Sequence, residues 1–134
     1  MNVLVDTSVW SLALRRDAPS DSRTTQVLTR CLERRDNLFL TGMILQELLQ
    51  GFRGPKQRTG IIEYFSKLPL IVPDLTDHIE AATIQLTCRR KGIQVGTIDA
   101  LLAQLAIAHD LELLTSDRDF MMMARHVPLR ILSS

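Results

Sequence analysis

Acidic side chains carry most of the chemistry this sequence can offer. Asp6 closes the apolar run Val3-Leu4-Val5, and Thr7 and Ser8 follow it directly. A carboxylate there can bind Mg2+ directly or through water, with a neighbouring hydroxyl fixing its orientation; the same placement also serves an Asx or helix-capping turn. Glu47 sits three residues after Ile44 and four before Gly51. On a helix it flanks the apolar face, so it can reach a crevice while that face packs, or stay a surface acid. Asp99, in Gly96-Thr97-Ile98-Asp99, falls in a first helical turn, where the helix dipole alone accounts for a negative charge. Asp117 and Asp119 occupy a polar turn. Asp117 can supply a metal-binding oxygen and Asp119 can orient the turn or cap the next helix, or the roles can be exchanged.

Taken together, these acids suit hard divalent cations. Mg2+ prefers oxygen ligands and commonly keeps water and substrate phosphate in its shell. Four converging carboxylates, Asp6, Glu47, Asp99 and Asp117, repel one another, and one or two divalent ions would neutralise them while holding a phosphodiester for attack by activated water. Other catalytic sets are poorly represented. His78, His109 and His126 form no H-E-x-x-H pattern and read as structural or solvated, no nucleophile elbow surrounds a Ser or Cys, and no Gly-rich stretch matches a phosphate-binding loop.

Something must gather acids that lie more than 100 residues apart. Apolar runs at 3–5, 38–40, 70–72 and 111–114, with a fifth around Leu129, Ile131 and Leu132, predict four to five short strands. Between them, helical periodicity marks Val9–Leu14, capped by Thr7 or Ser8; Val27, Leu28, Cys31 and Leu32; and Ile44, Leu45, Leu48, Leu49 and Phe52, stopping before Pro55. Asp17–Ser22, with Pro19, interrupts the first pair. Ile61, Ile62, Phe65 and Leu68 suggest a further helix. A longer one is expected over Thr76–Arg90, with Ile79, Ala82, Thr83 and Leu86 on its apolar face and Gly92 beyond its end. Thr97 is expected to cap a helix whose apolar side carries Ile98, Leu101, Leu102, Leu105 and His109, and Phe120–Arg125 is a short helical candidate. The alternation requires a mainly parallel sheet covered by helices on both faces, and ligands in such folds bind beyond the carboxyl ends of the strands.

The chain's 134 residues fit one domain, 1–134, with a radius of gyration of about 14 Å. At 46% hydrophobic and 23% charged it can bury a core, and a net charge of +1 excludes a broad electrostatic hold on nucleic acid. Phosphate contacts must then be local, with Arg15, Arg16, Arg53, Lys56, Arg58 and Arg118 as candidates. Cys31 and Cys88 are isolated and read as interior thiols, favouring a reducing compartment. No signal segment and no membrane-length apolar run is present, so a cytoplasmic protein without a membrane partner is expected. Trp10, Phe52, Tyr64 and Phe65 are candidates for core packing or for an interface.

VLVDTSVW, Glu47 within ILQELLQG, GTIDALLAQLAIAHDLELLT and SDRDF, in that order and over nearly the whole chain, resemble the PIN-domain family, and within it the VapC-type toxins of toxin–antitoxin pairs. The resemblance implies a three-layer α/β/α fold and a Mg2+- or Mn2+-dependent endoribonuclease. It assigns Asp6, Glu47 and Asp99 as metal-binding catalytic acids, with Asp117 as the fourth. Thr7, Ser8, Thr115 and Asp119 would support them. It also implies an RNA substrate, a cognate VapB-type antitoxin and a homodimer. Two alternatives are a noncatalytic RNA- or protein-binding PIN domain and a haloacid-dehalogenase-like phosphatase; for the latter, Ser8 stands where a second Asp is usual.

Overall fold

In the computed structural model, residues 1–15 and 22–133 are described; Arg16 and the expected interruption at 17–21, including Pro19, lie outside them. The elements run β1 (Asn2–Val5), α1 (Thr7–Leu14), α2 (Arg23–Glu33), β2 (Asn37–Thr41), α3 (Gly42–Gly51), α4 (Pro55–Phe65), β3 (Leu70–Ile71), α5 (Leu75–Arg90), α6 (Thr97–Ala108), β4 (Glu112–Leu114), α7 (Arg118–Met123) and β5 (Arg130–Ile131). The strands form one sheet in the order β3-β2-β1-β4-β5, and every pairing is parallel. Helices cover both faces, giving the expected three-layer α/β/α architecture.

β1 lies at the centre of the sheet, and Val3, Leu4 and Val5 are each 0% exposed, as are Leu113 and Leu114 of β4 beside it. A strand covered on both faces needs an unbroken apolar run instead of alternation, which is why these segments read so plainly. From β1 the chain steps to β2 and β3 on one side, then returns to place β4 and β5 on the other. Strand order therefore reverses between β1 and β4, and a crevice opens beyond their carboxyl ends.

Pro55, expected as a stop, also starts α4: it occupies the first helical position, where its missing N–H costs nothing. α5 closes in the left-handed conformation at Gly92, φ +79°, as the sequence suggests. Its expected apolar face is corrected. Ala81, Ile84 and Cys88 are buried, whereas Ile79 and Leu86 are exposed at 56% and 45%, and Ala82 and Thr83 are exposed too.

Smaller corrections follow the same logic. Leu32, Ile62, Ile98 and His109 face solvent. On α6 the buried positions include Ala100, Ala103 and Ala106, whose small side chains let α5 and α6 pack as the most extensive helix pair. The cap positions of α1 and α6 are Asp6 and Gly96, each one residue before the expected hydroxyl residue, and neither makes a side-chain capping bond.

Trp10 and Phe65 are buried and Tyr64 is half-exposed in a mutually edge-on aromatic cluster, with Trp10 and Phe65 centroids 4.8 Å apart. Both cysteines are buried free thiols. No helix among the described residues is long and apolar enough to cross a membrane.

Candidate acidic cleft at the strand switch point

The backbone N–H of Asp6, the first residue after β1, donates to the carbonyl of Leu114, the last of β4 (2.9 Å), which brings the two strand ends together. Asp6 is only 9% exposed. Its Oδ2 accepts from Ser8 Oγ (2.9 Å) and from Thr115 Oγ1 (2.8 Å). With Oδ2 thus held, Oδ1 is the oxygen available to a ligand. This explains why Asp6 does not cap α1: its carboxylate is directed across the switch point.

Thr115, 1% exposed, links two acids, since its Oγ1 donates to Asp6 and accepts from the backbone N–H of Asp117 (3.0 Å). Ser8 Oγ accepts from the backbone N–H of Ser116 (3.2 Å), closing the loop from the other side. Asp117 caps α7, its Oδ1 accepting from the N–H of Asp119 (2.9 Å). Glu47 is exposed on α3 and is held by Thr7 Oγ1, which donates to Oε1 (3.0 Å). α3 starts at the end of β2, where Thr41 Oγ1 accepts from the N–H of Ile44.

Asp99 projects from the first turn of α6. Its carboxyl is pushed up to about 6, chiefly by desolvation and then by the negative charges of Asp117, Asp6, Asp119 and Glu47. All the other acids named from sequence therefore act on this one group. Carboxylate oxygens of Asp99, Asp117 and Asp119 lie within 4.8 Å of one another. Asp6, Glu47, Asp99 and Asp117 all line one cleft of about 580 Å³ together with Thr7 and Ser8. Asp6 and Glu47 stand outside the tight cluster, while Asp119, expected in a supporting role, stands within it.

A set of uncompensated carboxylate oxygens at one crevice fits a hard divalent cation, whose charge would relieve the repulsion that Asp99 registers. Of the expected phosphate contacts, Arg118 falls between the clustered Asp117 and Asp119 in the chain. Arg15, Arg53, Lys56, Arg58 and Arg118 are exposed and none lines the main cleft; Lys56 borders a separate hollow beside Tyr64, and Arg58 another along α3. Long basic side chains at helix ends extend toward water when no buried acid is close enough to hold them. His78, read as incidental from sequence, does line the cleft. Its position four residues after the Asp74 cap carries no motif, so only the packing of α5 could reveal it.

The PIN-domain family model matches residues 3–125. The chain is 32% identical over 133 residues to VapC ribonuclease Mb1587 of Mycobacterium bovis and to Ribonuclease VapC11 of Mycobacterium tuberculosis, covering 98% of each chain in both comparisons. Among solved structures, VapBC2 from Rickettsia felis bound to a DNA fragment from its promoter is similar with a TM-score of 0.75 at 20% identity, over 98% of both chains. FitAcB from Neisseria gonorrhoeae gives a TM-score of 0.71 at 19% identity, over 98% of this chain and 96% of that one. With strand order, acidic cleft and full-length similarity in agreement, the chain belongs to the PIN-domain family, in its VapC-type branch of toxin–antitoxin proteins.

Proposed function

We propose that this chain is a Mg2+- or Mn2+-dependent endoribonuclease that hydrolyses RNA phosphodiester bonds as the toxin of a toxin–antitoxin pair. The observation that carries the reading is the convergence on Asp99 of four other acids from three separate parts of the chain. Asp6, Glu47, Asp99 and Asp117 would hold the metal, with Asp119 close enough to share it. When bound, a divalent ion supplies Lewis-acid polarisation of the phosphoryl group and a water of lowered pKa. The chain's own residues do the positioning. Ser8 and Thr115 fix the Asp6 carboxylate, Thr7 holds Glu47 toward the same cleft, and the cap at Asp117 sets the turn that carries it.

The relatives' names support the activity, being those of VapC ribonucleases, and one structural neighbour is described as a Sarcin-Ricin loop cleaving toxin. One solved neighbour is a toxin–antitoxin complex from Klebsiella pneumoniae and others are VapBC assemblies, which supports a VapB-type antitoxin as partner. The exposed stripe Leu75, Ile79 and Leu86 on α5 supports a homodimer. Purified protein is expected to cleave RNA with Mg2+ or Mn2+ and to stop on chelation. Asp6→Asn and Asp99→Asn should keep their circular dichroism while losing at least about 100-fold in rate. Equal cleavage by the chelated protein, or by both folded variants, rules the mechanism out.

A further inference from the structure

Asp99 reaches the cleft because α6 begins where it does, yet the helix has no cap of its own to fix that start. The cap residue is Gly96, which has no side chain to offer, and no side-chain capping bond forms there. After the turn at 91–92 the connection from α5 to α6 has no regular structure. Val95 anchors it twice. Its side chain is 7% exposed, and its carbonyl accepts from Gln85 Nε2 of α5 at 2.7 Å.

That distance is at the short end for an amide N–H donor, and the bond acts on the peptide that joins Val95 to Gly96. The Gly96 carbonyl in turn accepts from the N–H of Ala100 (3.0 Å), closing the helical turn that contains Asp99. Gln85 itself does not line the cleft. Packing alone leaves the position of α6 along its axis loosely set. The buried faces of α5 and α6 carry Ala81, Ala100, Ala103 and Ala106, and helices that meet through small side chains present shallow ridges, which resist sliding poorly. Two hydrogen bonds between the helix pair oppose it. Gln104 Nε2 meets Asp77 Oδ1 at 3.4 Å towards the far end of α6, whereas Gln85 bonds at 2.7 Å at the end that carries Asp99.

The residue type points the same way. Gln85 is half-buried beside the buried Ile84 and Cys88. Holding a long amide in one geometry forfeits side-chain freedom, so what a glutamine adds at this position is the bond. We infer that Gln85 is a positioning residue for Asp99: by clamping the Val95 carbonyl it fixes the start of α6, and with it the place of the Asp99 carboxylate among Asp6, Glu47 and Asp117. The inference rests on the metal-dependent ribonuclease reading and adds to it a residue outside the cleft on which the metal site depends.

The test compares Gln85→Met, which keeps the length and removes the donor, Gln85→Glu, which turns an acceptor towards the carbonyl at neutral pH, and Gln85→Lys, which retains a donor of sufficient reach. Ile84→Val loosens the same helix pair without touching the bond. Hydrogen exchange followed by NMR in metal-free protein reads the Ala100 N–H, with the Asp6 N–H, bonded to the Leu114 carbonyl, as internal reference. In Gln85→Met and Gln85→Glu the Ala100 N–H should exchange roughly 10-fold faster relative to that reference, the factor for one lost hydrogen bond. The Kd for Mn2+ in calorimetric titration should rise roughly 10-fold, as when the partner that orients a metal ligand is removed. For RNA cleavage kcat should fall with KM unchanged, because the clamp orients an acid and adds no contact to RNA. Gln85→Lys should restore all three, and Ile84→Val should show no such selective loss. In the wild type one Gln85 side-chain N–H should itself exchange slowly.

A Gln85→Met protein with wild-type Ala100 exchange and wild-type Mn2+ affinity would overturn the clamp while leaving the ribonuclease reading intact. The same selective loss in Ile84→Val would do so too, since the effect would then belong to the helix pair in general. Rapid exchange of both Gln85 side-chain N–H groups in the wild type overturns it even where the variants do not fold. A wild type that neither binds Mn2+ nor cuts RNA removes the ribonuclease reading and the role of Gln85 together.

Discussion

Asp99 connects the electrostatics of the cleft to the stability of the fold. Its ordinary pKa is 3.8 and desolvation, reinforced by four neighbouring acids, raises it to about 6. In that interval the folded state binds the proton more tightly than the unfolded state, so this group's contribution favours folding below pH 3.8 and turns unfavourable as pH rises to about 6. At neutral pH and without metal the cost is about 2 kcal/mol, after allowance for partial exposure. In chelator, Asp99→Asn should therefore be more stable than wild type at pH 7.5 by about that amount, with the difference shrinking toward zero near pH 4; urea titrations across this range measure it. A difference that grows on acidification would contradict the placement. Thr115 gives a second handle. Thr115→Val leaves an Asp6 oxygen and the Asp117 N–H without their buried partner, which should cost about 1–3 kcal/mol, whereas Thr115→Ser should stay near wild type. At this scale Asp6, Glu47, Asp99 and Asp117 were legible as metal-site candidates, because acid type and context survive in one dimension. Asp119 was legible only as an alternative to Asp117, and its place beside Asp117 in the tight cluster needed the fold; His78's place in the cleft was not legible, because it does not follow from residue type.

Among the elements, α5 shows where periodicity informs and where it misleads. Leu75, Ile79, Ala82 and Leu86 fall on one side of the helix, and Asp77, Ala81, Ile84 and Cys88 on the other, about 180° away at 3.6 residues per turn. Both stripes are largely apolar, so the sequence does not say which one the core takes. The second wins because Ala81 and the alanines of α6 allow close approach, and because Asp77 finds partners there. Asp77 accepts from the N–H of Asp74 (3.0 Å) and from Gln104 Nε2 on α6 (3.4 Å), and the Asp74 backbone bond leads in holding its carboxyl below the usual range. The N–H of Asp77 in turn donates to Asp74 Oδ1 (2.9 Å), completing a capping box. Asp74→Ala should lower the unfolding free energy by about 1 kcal/mol in denaturant titration. The outward stripe is apolar enough to fit a second copy, so Ile79→Asp is expected to shift a dimer to monomer in sedimentation without unfolding it. A wild type that is monomeric throughout the concentration range removes that assignment.

For the whole molecule, the central strands matter most, since β1 and β4 form both the core and the rim of the cleft. Leu113→Ala, at a position with no exposure and a neighbour of Leu4 in the sheet register, should cost about 2–5 kcal/mol in a chemical unfolding titration and weaken cleavage with it. By itself the sequence determined the α/β class, the parallel strands and the acids that can do metal chemistry. Each of those is local: an unbroken apolar run reports burial on two faces, a 3.6-residue pattern reports a helix, and a carboxylate keeps its chemistry wherever it stands. Only the tertiary structure decided the order β3-β2-β1-β4-β5, and hence that residues 6 and 115 meet at a switch point, that four charges act on Asp99, and that α5 turns its less conspicuous stripe inward. Those outcomes depend on which surfaces fit together through space, and short-range sequence patterns do not encode that fit.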